Sequence, residues 1–488
     1  MKLINSKLLQ TGAYIDGHWV SADDGASLAV INPSTGEELV WIASVGAVET
    51  RRAIAAAERA LPAWRAKTAK ERANILRRWF NLMMENQHDL AMIIAQEQGK
   101  TLTEAAGEIA YAANYIEWFS EEAKRIYGDI IAPPSNDKRL MVVRQPVGVV
   151  ASITPWNYPS AMIARKVAPA LAAGCTFVAK PAKETPLSAF ALAVLAEEAG
   201  VPPGVFNVVC GDDSAAIGGE MTSNPIVRKL TFTGSTAVGK MLIGQCATTV
   251  KKTSMELGGN APFIVFDDAD LEAAVSGAMA SKFRNSGQTC VCANRFLVQE
   301  GIYDAFALRL VEEVKKFKLG NASDKATTMG PLISAKEAGK VAAMVDEAVV
   351  GGAKIMVGGQ RSPLGDCFYE PTVLQNVNDS MRIFREEIFG PVAPLFKFST
   401  EAEAVAIAND TQFGLASYFY TRDIGRVWRV SEALEYGMVG INEGIISNEM
   451  APFGGIKESG SGREGSKYGI DDYVEIKYMC LAGLGSGA

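Results

Sequence analysis

VGVVASI at 147–153 and TFVAK at 176–180 are short runs rich in β-branched residues, and VFNVV at 205–209 and KLTFTG at 229–234 repeat the pattern. Each run is followed by a segment whose apolar residues have helical spacing. Strands that alternate with helices at this pitch predict parallel βαβ units. We therefore expect an α/β fold with a doubly wound, Rossmann-type sheet in this part of the chain.

The chain before this region is predicted to be mainly helical after a short strand-like start. Ala47–Lys67, Lys70–Gln98 and Thr101–Ile126 are rich in Ala, Glu, Arg and Leu at helical spacing. Ile130–Asp137 contains two prolines and breaks the pattern. Arg139–Gln145 then has the composition of a strand.

A second α/β region is predicted from about Asn260 to Phe453. Val265, Phe296–Val298 and Ile355–Val357 are expected on its strands. The remainder is predicted to be a Gly-rich loop, a strand and a frayed small-residue end, at 453–469, 472–479 and 483–488.

Composition excludes several classes of function. The 488 residues are 48% hydrophobic and 21% charged with a net charge of −7, which disfavours disorder and binding of nucleic acid through bulk charge. Two histidines disfavour a multi-histidine metal site, so we expect no metal. Seven unpaired cysteines, no signal sequence and no apolar run of spanning length favour a cytoplasmic protein that does not enter a membrane.

The turn Gly234–Gly239 follows a strand and opens a helix. Glycine lets the backbone approach a ligand, and a helix start favours an anion, so this turn is a candidate contact for a dinucleotide phosphate. It is not the GxGxxG fingerprint, and an ordinary βα turn has the same composition.

Three further residues have chemistry to offer. Glu256 ends a strand-like run, where partial desolvation would raise its pKa and suit a general base; a solvated glutamate is the alternative. Cys290 lies in a polar turn where a thiol could be exposed and activated, although most lone cysteines are structural. Asn157, fixed between two prolines, could donate its amide to an oxyanion or form an Asx turn.

The sequence closely resembles the aldehyde dehydrogenase superfamily over nearly the whole chain. GQTCVCANR, KFRNSGQTC and NEGIISNEMAPFGG are similar to the bacterial branch that oxidises succinate semialdehyde. Seven ordered segments carry the superfamily resemblance: PWNYP (155–159), KPA (180–182), FTGSTAVG (232–239), ELGGN (256–260), GQTC (287–290), EEIFGPV (386–392) and PFGGIKESG (452–460).

The resemblance implies a catalytic role for Cys290, Asn157 and Glu256. Cys290 would attack the aldehyde, Asn157 and the Cys290 backbone N–H would hold the oxyanion, and Glu256 would activate water to hydrolyse the thioester. The hydride would pass to NADP or NAD. Cofactor contacts are implied at Trp156, Lys180, Gly234, Ser235, Leu257, Glu387 and Phe389.

The family fold implies three parts and an oligomer. The cofactor-binding domain would comprise 1–127 and 147–258, and the catalytic domain 259–458. A β arm formed by 128–146 and 468–488 would join subunits into a homodimer or homotetramer.

The resemblance also implies residues that select the cofactor and the substrate. NAD-preferring relatives often carry Glu where this chain has Lys183, and a cation there would favour the 2′-phosphate of NADP. Lys183 could also point into solvent. Arg165 and Arg284 would clamp the distal carboxylate of a semialdehyde, with Ser447 supplying a hydroxyl; surface ion pairing is the alternative for either arginine.

Three alternatives remain open at this stage. Glutarate semialdehyde, one methylene longer, or another short aldehyde could be the substrate. A non-catalytic protein on the same fold, or a cofactor-independent thiol hydrolase, would give the chain a different class of function. A disulfide between Cys290 and Cys292 would be a redox switch, although an i, i+2 bridge is geometrically awkward.

Overall fold

The computed structural model describes residues 1–484 of the chain. The end predicted to be frayed at 483–488 therefore lies outside the described residues from Gly485 onward.

Within this range the chain forms fourteen α-helices and twenty strands. The helices are α1 (Ala47–Ala66), α2 (Ala69–Glu85), α3 (Gln87–Glu97), α4 (Leu102–Glu122), α5 (Pro159–Ala173), α6 (Pro186–Ala199), α7 (Ser214–Ser223), α8 (Thr236–Cys246), α9 (Leu271–Phe283), α10 (Tyr303–Val314), α11 (Ala335–Val350), α12 (Arg382–Arg385), α13 (Glu401–Asn409) and α14 (Ile424–Ala433). The strands are β1 (Ala13–Ile15), β2 (His18–Val20), β3 (Ser27–Ile31), β4 (Glu38–Ala43), β5 (Asp129–Ile131), β6 (Arg139–Pro146), β7 (Val149–Ile153), β8 (Thr176–Lys180), β9 (Phe206–Val208), β10 (Val227–Thr233), β11 (Lys252–Glu256), β12 (Ala261–Val265), β13 (Ala293–Gln299), β14 (Lys354–Val357), β15 (Thr372–Gln375), β16 (Val392–Phe398), β17 (Ala416–Tyr420), β18 (Met438–Ile441), β19 (Gly460–Ser461) and β20 (Val474–Leu481).

The first large sheet has eight strands in the order β19-β11-β10-β7-β8-β9-β1-β2. The five strands from β11 to β9 are parallel, as the alternating runs predicted. The strand order reverses at β7, which pairs with β8 on one side and with β10 on the other. Ligands of doubly wound sheets bind at the carboxyl ends of the strands beside such a reversal, so the loops after β7 and β10 are placed for function.

The second sheet has seven strands in the order β14-β15-β16-β13-β12-β17-β18 and is parallel except at its β14 edge. Buried apolar side chains pack on both of its faces and form two separate cores. The strands expected at Val265, Phe296–Val298 and Ile355–Val357 lie in this sheet. The prediction of an α/β fold with two sheet-containing regions is confirmed.

A third, antiparallel sheet joins β5 and β6 to β20 near the carboxyl end. The predicted strands at 139–145 and 472–479 form its central contact. Its apolar residues face outward: Ile130, Ile476 and Tyr478 are 83%, 71% and 60% exposed. Exposed apolar side chains on one small sheet are typical of a surface that another chain covers.

Two predicted boundaries were wrong. The helix expected over Lys70–Gln98 is two helices with a break at Asn86, whose side chain donates to the Leu82 carbonyl and accepts from Asn5. Such local side-chain bonds compete with helical ones. The loop expected at 453–469 contains β19, which pairs with β11 because Gly460 has no Cβ to meet the Met255 carbonyl.

No helix in residues 1–484 combines the length and the apolar character that a membrane crossing requires.

Candidate active site

The loop that leads to Cys290 turns sharply before β13. Asn285, Ser286 and Gly287 have consecutive φ values of 49°, 55° and 77°. A Cβ at Gly287 would lie 2.1 Å from the Gly390 carbonyl oxygen, so only glycine fits there. The left-handed turn delivers Cys290 to the carboxyl ends of β7 and β10 in the first sheet.

Two cavities meet at Cys290, and Asn157 and Met162 also line both. The tyrosine-lined cavity has a volume of about 370 Å³ and is lined further by Glu104, Gly107, Glu108, Tyr111, Tyr158, Arg165, Arg284, Thr289, Val291, Ile445, Ser447 and Phe453. The tryptophan-lined cavity has a volume of about 260 Å³ and is lined further by Pro155, Trp156, Thr233, Gly234, Ser235, Leu257, Gly258, Glu337, Lys340, Glu387 and Phe389. A group bonded to the Cys290 sulfur would therefore face both spaces.

The Cys290 thiol does not have the activated character that its polar turn suggested. The residue is half-buried, and burial together with the nearby Glu387 carboxylate raises the pKa of its thiol to about 12. The thiol is therefore protonated at neutral pH in this arrangement. Cys292 is buried, and both cysteines are free.

Glu256 ends β11 and is 3% exposed, more buried than its sequence context suggested. Burial, followed by the charge of Glu464, raises the pKa of Glu256 well above its usual range, while Arg165 and Lys166 oppose the shift. Its Oε2 has no hydrogen-bond partner among residues 1–484. Glu256 lines neither cavity, but its charge contributes to the raised pKa of Cys290.

Arg165 is not a free cation. Its Nη2 lies 2.5 Å from Glu464 Oε2, and Lys166 on the same helix donates to the other oxygen of Glu464. The Arg165 guanidinium also stacks 4.0 Å from the centre of the Phe453 ring. Phe453 and Glu464 exchange two backbone hydrogen bonds of 2.8 Å, so one small bridge holds Arg165 from two sides.

Arg284 differs from Arg165 in having no ion pair with a carboxylate among residues 1–484, although the buried Nε of Arg165 also lacks a hydrogen-bond partner. Arg284 lines the tyrosine-lined cavity, and its buried Nε and Nη2 have no hydrogen-bond partner among the described residues. A buried donor without an acceptor costs about 1–3 kcal/mol, and more when it is charged. Ser447 lines the same cavity. The arrangement is suited to an anionic group that supplies the missing acceptors.

Asn157 is fixed at both its side chain and its backbone. Its Nδ2 donates to the Gln288 carbonyl at 2.9 Å, which leaves one amide N–H free. Its carbonyl accepts from Lys100 Nζ at 2.8 Å and from Asn285 Nδ2 at 2.9 Å. The free N–H can serve an oxyanion on Cys290 without loss of the bond to Gln288.

The tryptophan-lined cavity contains most of the predicted cofactor residues. Trp156 and Phe389 form an edge-to-face pair with ring centroids 5.5 Å apart. Glu387 Oε1 accepts from the Gly259 N–H at 3.2 Å, and burial raises the pKa of Glu387 to about 7. Gly258 allows this approach, because a Cβ there would lie 2.9 Å from the other Glu387 oxygen.

Ser235 and Gly239 belong to the start of α8. Ser235 is the N-cap residue, and its hydroxyl accepts from the Val238 N–H. A Cβ on Gly239 would lie 2.4 Å from Leu257 Cδ2, so glycine permits this close packing. The free N–H groups of this helix start are suited to a phosphate, and a dinucleotide contact at this turn stays a prediction.

Three predicted cofactor residues, Gly239, Lys180 and Lys183, lie outside both cavities. Lys180 ends β8 and is buried, and burial lowers its pKa. Lys183 forms an ion pair with Asp212 at 2.5 Å, in which both side chains are largely exposed. Exposed pairs of this kind contribute about 0–1 kcal/mol, so an incoming anion can displace Asp212.

Sequence reasoning missed the residues that support the site. Lys100 donates to the Asn157 carbonyl, and Glu104 accepts from the Asn285 N–H. Glu108 accepts from an N–H at the start of α5, and Glu464 forms an ion pair with Arg165. Isolated Lys and Glu residues in a sequence resemble solvated surface charges, and no local pattern separates these from the rest.

The chain belongs to the aldehyde dehydrogenase family, whose model matches residues 19–479. It is 62% identical over 484 residues to glutarate-semialdehyde dehydrogenase from Pseudomonas aeruginosa, covering 99% of this chain and 100% of that protein. It is 61% identical to the NADP(+) succinate-semialdehyde dehydrogenase GabD from Escherichia coli, again covering 99% and 100%. The crystal structure of succinate-semialdehyde dehydrogenase from Burkholderia pseudomallei matches with a TM-score of 0.98 at 61% identity and the same coverage.

No cluster of three or more His, Cys, Asp or Glu residues within the described part of the chain could hold a metal ion.

The reactivity of Cys290 in the cofactor-free protein should follow its raised pKa. Below a pKa of about 12 the thiolate fraction rises about tenfold per pH unit, so alkylation by iodoacetamide should accelerate steadily from pH 7 to 10. The measurement is the alkylation rate at Cys290 by peptide mass spectrometry, with Cys290→Ala as the background. A plateau near pH 8 would contradict the raised pKa.

Proposed function

We propose that the chain oxidises a short aldehyde with a distal carboxylate, succinate semialdehyde, to the corresponding diacid with NADP or NAD as hydride acceptor. The observation that carries the proposal is Arg284, a half-buried cation whose Nε and Nη2 are buried without a hydrogen-bond partner in the described structure, in the same cavity as Cys290. Relatives of about 60% identity that are named for semialdehyde oxidation support the same substrate class.

Arg284 is proposed as the principal partner of the substrate carboxylate. Its free N–H groups match the fork that binds carboxylates through two parallel bonds. Arg165 lines the same cavity but is already paired with Glu464, so its part is smaller. Ser447 adds a hydroxyl donor to the proposed clamp.

The chemistry is proposed to begin at Cys290. Its sulfur attacks the aldehyde carbon, the thiol proton passes to solvent water, and the carbonyl oxygen becomes an oxyanion. The free N–H of Asn157 and the Cys290 backbone N–H stabilise that charge, a contribution of about 2.7–4 kcal/mol for a single donor in other enzymes. Loss of hydride from the same carbon leaves a thioester on Cys290.

Glu256 is the proposed base for hydrolysis. Its raised pKa makes it a stronger base than an exposed carboxylate once it is ionised. It takes a proton from water, the hydroxyl attacks the thioester carbon, and the C–S bond breaks to release the acid and the Cys290 thiol. No metal is needed for either step.

The tryptophan-lined cavity is proposed to receive the nicotinamide end of a dinucleotide and its phosphates. The start of α8 at Ser235 suits the phosphates, and Glu387 offers a carboxylate for ribose hydroxyls. Trp156, Gly234, Leu257 and Phe389 form its walls. The nicotinamide ring, when bound, supplies the hydride acceptor. Lys183 is proposed to favour the 2′-phosphate of NADP by exchanging its pairing with Asp212.

The three-part organisation is also proposed for this chain. The first large sheet would be the core of the cofactor-binding domain (1–127 and 147–258), and the second that of the catalytic domain (259–458). The exposed apolar face of the β5-β6-β20 sheet supports 128–146 and 468–488 as an oligomerisation arm. Sedimentation velocity tests it, since a monomer at micromolar concentration would refute it.

Glutarate semialdehyde is the second candidate substrate, favoured by the P. aeruginosa relative. One methylene changes binding by only about 1–3 kcal/mol in a pocket of fixed size. We therefore propose that both semialdehydes are substrates. Comparing kcat/KM for the two shows which one the protein prefers.

The substrate proposal is tested by reduced-cofactor formation with succinate semialdehyde, glutarate semialdehyde and uncharged butyraldehyde. Arg284→Met should lower kcat/KM for the two carboxylated aldehydes about 100-fold, because a charge-assisted bond worth about 2–3 kcal/mol is lost. Butyraldehyde, which has no carboxylate, is the internal control and should change less than threefold. Equal losses for all three aldehydes would contradict the clamp.

The role of Glu256 is tested by Glu256→Gln. Removal of a general base should lower kcat about 100-fold or more. If Glu256 acts in hydrolysis, the acyl-enzyme should accumulate on Cys290 and appear as added mass in intact-protein mass spectrometry. An inactive variant without acylation would place Glu256 before the thioester instead.

The role of Lys183 is tested by Lys183→Glu. The new carboxylate should repel the 2′-phosphate and lower the NADP/NAD ratio of kcat/KM at least tenfold. Lys316→Glu is the matched control, since Lys316 is also exposed and paired with an acidic residue, Glu313. An unchanged ratio in Lys183→Glu would show that Lys183 does not contact the phosphate.

A further inference from the structure

Lys100 is a buried cation that contacts the backbone of Asn157. Its side chain is 1% exposed, and Nζ lies 2.6 Å from Glu108 Oε2 and 2.8 Å from the Asn157 carbonyl oxygen. Nζ also lies 3.6 Å above the centre of the Tyr158 ring. An ammonium group has three N–H donors, and these contacts use them all.

Glu108 extends the same ion pair to the start of α5. Its second carboxylate oxygen accepts from the backbone N–H of Ser160 at 2.9 Å and of Ala161 at 3.2 Å. These are otherwise unpaired donors of the first helical turn. The five residues from Asn157 to Ala161 are thus held at the front by Lys100 and at the rear by Glu108.

Helix α4 also holds the other half of the site. Glu104, one turn before Glu108, accepts from the Asn285 N–H at 2.6 Å. The Asn285 side chain donates to the Asn157 carbonyl, the same atom that Lys100 contacts. The loop leading to Cys290 and the loop carrying Asn157 are therefore both fixed to one rigid element.

We propose that Lys100 is a positioning residue for the reaction at Cys290: paired with Glu108, it fixes the Asn157 backbone and so aims the Asn157 amide at the oxyanion. The inference rests on the proposed roles of Cys290 and Asn157. Lys100 and Glu108 touch the loop rather than the reacting atoms, so their effect passes through Asn157.

The test must separate positioning from stability. Lys100→Met alone leaves the Glu108 charge buried without a partner, which destabilises a protein strongly. The double variant Lys100→Met/Glu108→Gln removes both charges, and the Gln oxygen can still accept from the start of α5. Its melting temperature should therefore recover toward that of the parent.

The kcat of this double variant should not recover with its melting temperature. A misplacement of about 1 Å at a reacting group can cost about 100-fold, so kcat of the double variant should fall about 10- to 100-fold despite its recovered melting temperature. NADP binding by protein fluorescence, which reports on the other cavity, should change less than threefold. A kcat that recovers together with the melting temperature would overturn the proposal.

A double-mutant cycle with Asn157→Ala shows whether the effect passes through Asn157. Once that amide is gone, the Lys100/Glu108 change should lower kcat less than threefold further, because the group it positions is absent. Losses that multiply would mean that Lys100 acts elsewhere, and would overturn the proposal. Lys229→Met is the matched control: Lys229 is equally buried and donates to Ser254 in another part of the fold, so this variant should lose stability but keep kcat.

The cycle also separates this inference from the proposed function. An unchanged kcat in Asn157→Ala would refute the oxyanion role on which both depend. A large loss in Asn157→Ala beside a normal kcat in the Lys100/Glu108 double variant would overturn only the positioning role.

Discussion

The site depends on charges that are buried with their partners. Helix α5 carries Arg165 and Lys166 into the interior, where each is 2% exposed or less, and Glu464 pairs with both. Two buried cations on adjacent residues would be very unfavourable without that carboxylate. Burial is the main cause that raises the pKa of Glu256, Glu464 adds to it, and Arg165 and Lys166 oppose it, so the same three charges also influence the residue proposed to activate water.

The junction of the two cavities supports the proposed chemistry, because it gives a substrate carbon at Cys290 access to two separate spaces. A carbon bonded to the Cys290 sulfur sits between the tyrosine-lined and the tryptophan-lined cavities, and Asn157 borders both. The aldehyde chain can extend into one cavity while hydride leaves toward the other. The reversal of strand order at β7 produces this junction, because it opens the sheet where the loops after β7 and β10 diverge.

The sequence predicted the parts of this arrangement that local patterns determine. TFVAK and KLTFTG lie in β8 and β10, as expected for short β-branched runs flanked by helical segments. It did not predict that Glu464 pairs with Arg165, since 299 positions separate them and neither has a local signature. Lys100 and Asn157 are 57 positions apart in the same way. The thiol of Cys290 was misjudged because its turn is polar in composition, whereas its pKa follows from the groups packed around it.

Of the two arginines in the tyrosine-lined cavity, only Arg165 has a carboxylate partner within the described part of the protein. This difference is relevant to the proposed substrate specificity. Glu464 balances the charge of Arg165, although Arg165 Nε has no hydrogen-bond acceptor, whereas Arg284 has neither an ion-pair partner nor acceptors for its Nε and Nη2 among residues 1–484. An unpaired buried donor lowers folding stability, and such a group persists where function requires it. An anionic substrate recovers that free energy on binding and an uncharged one does not. In the proposed clamp, discrimination between aldehydes would come from these unpaired donors of Arg284. A methylene more or less between aldehyde and carboxylate would affect it much less than the presence of the charge.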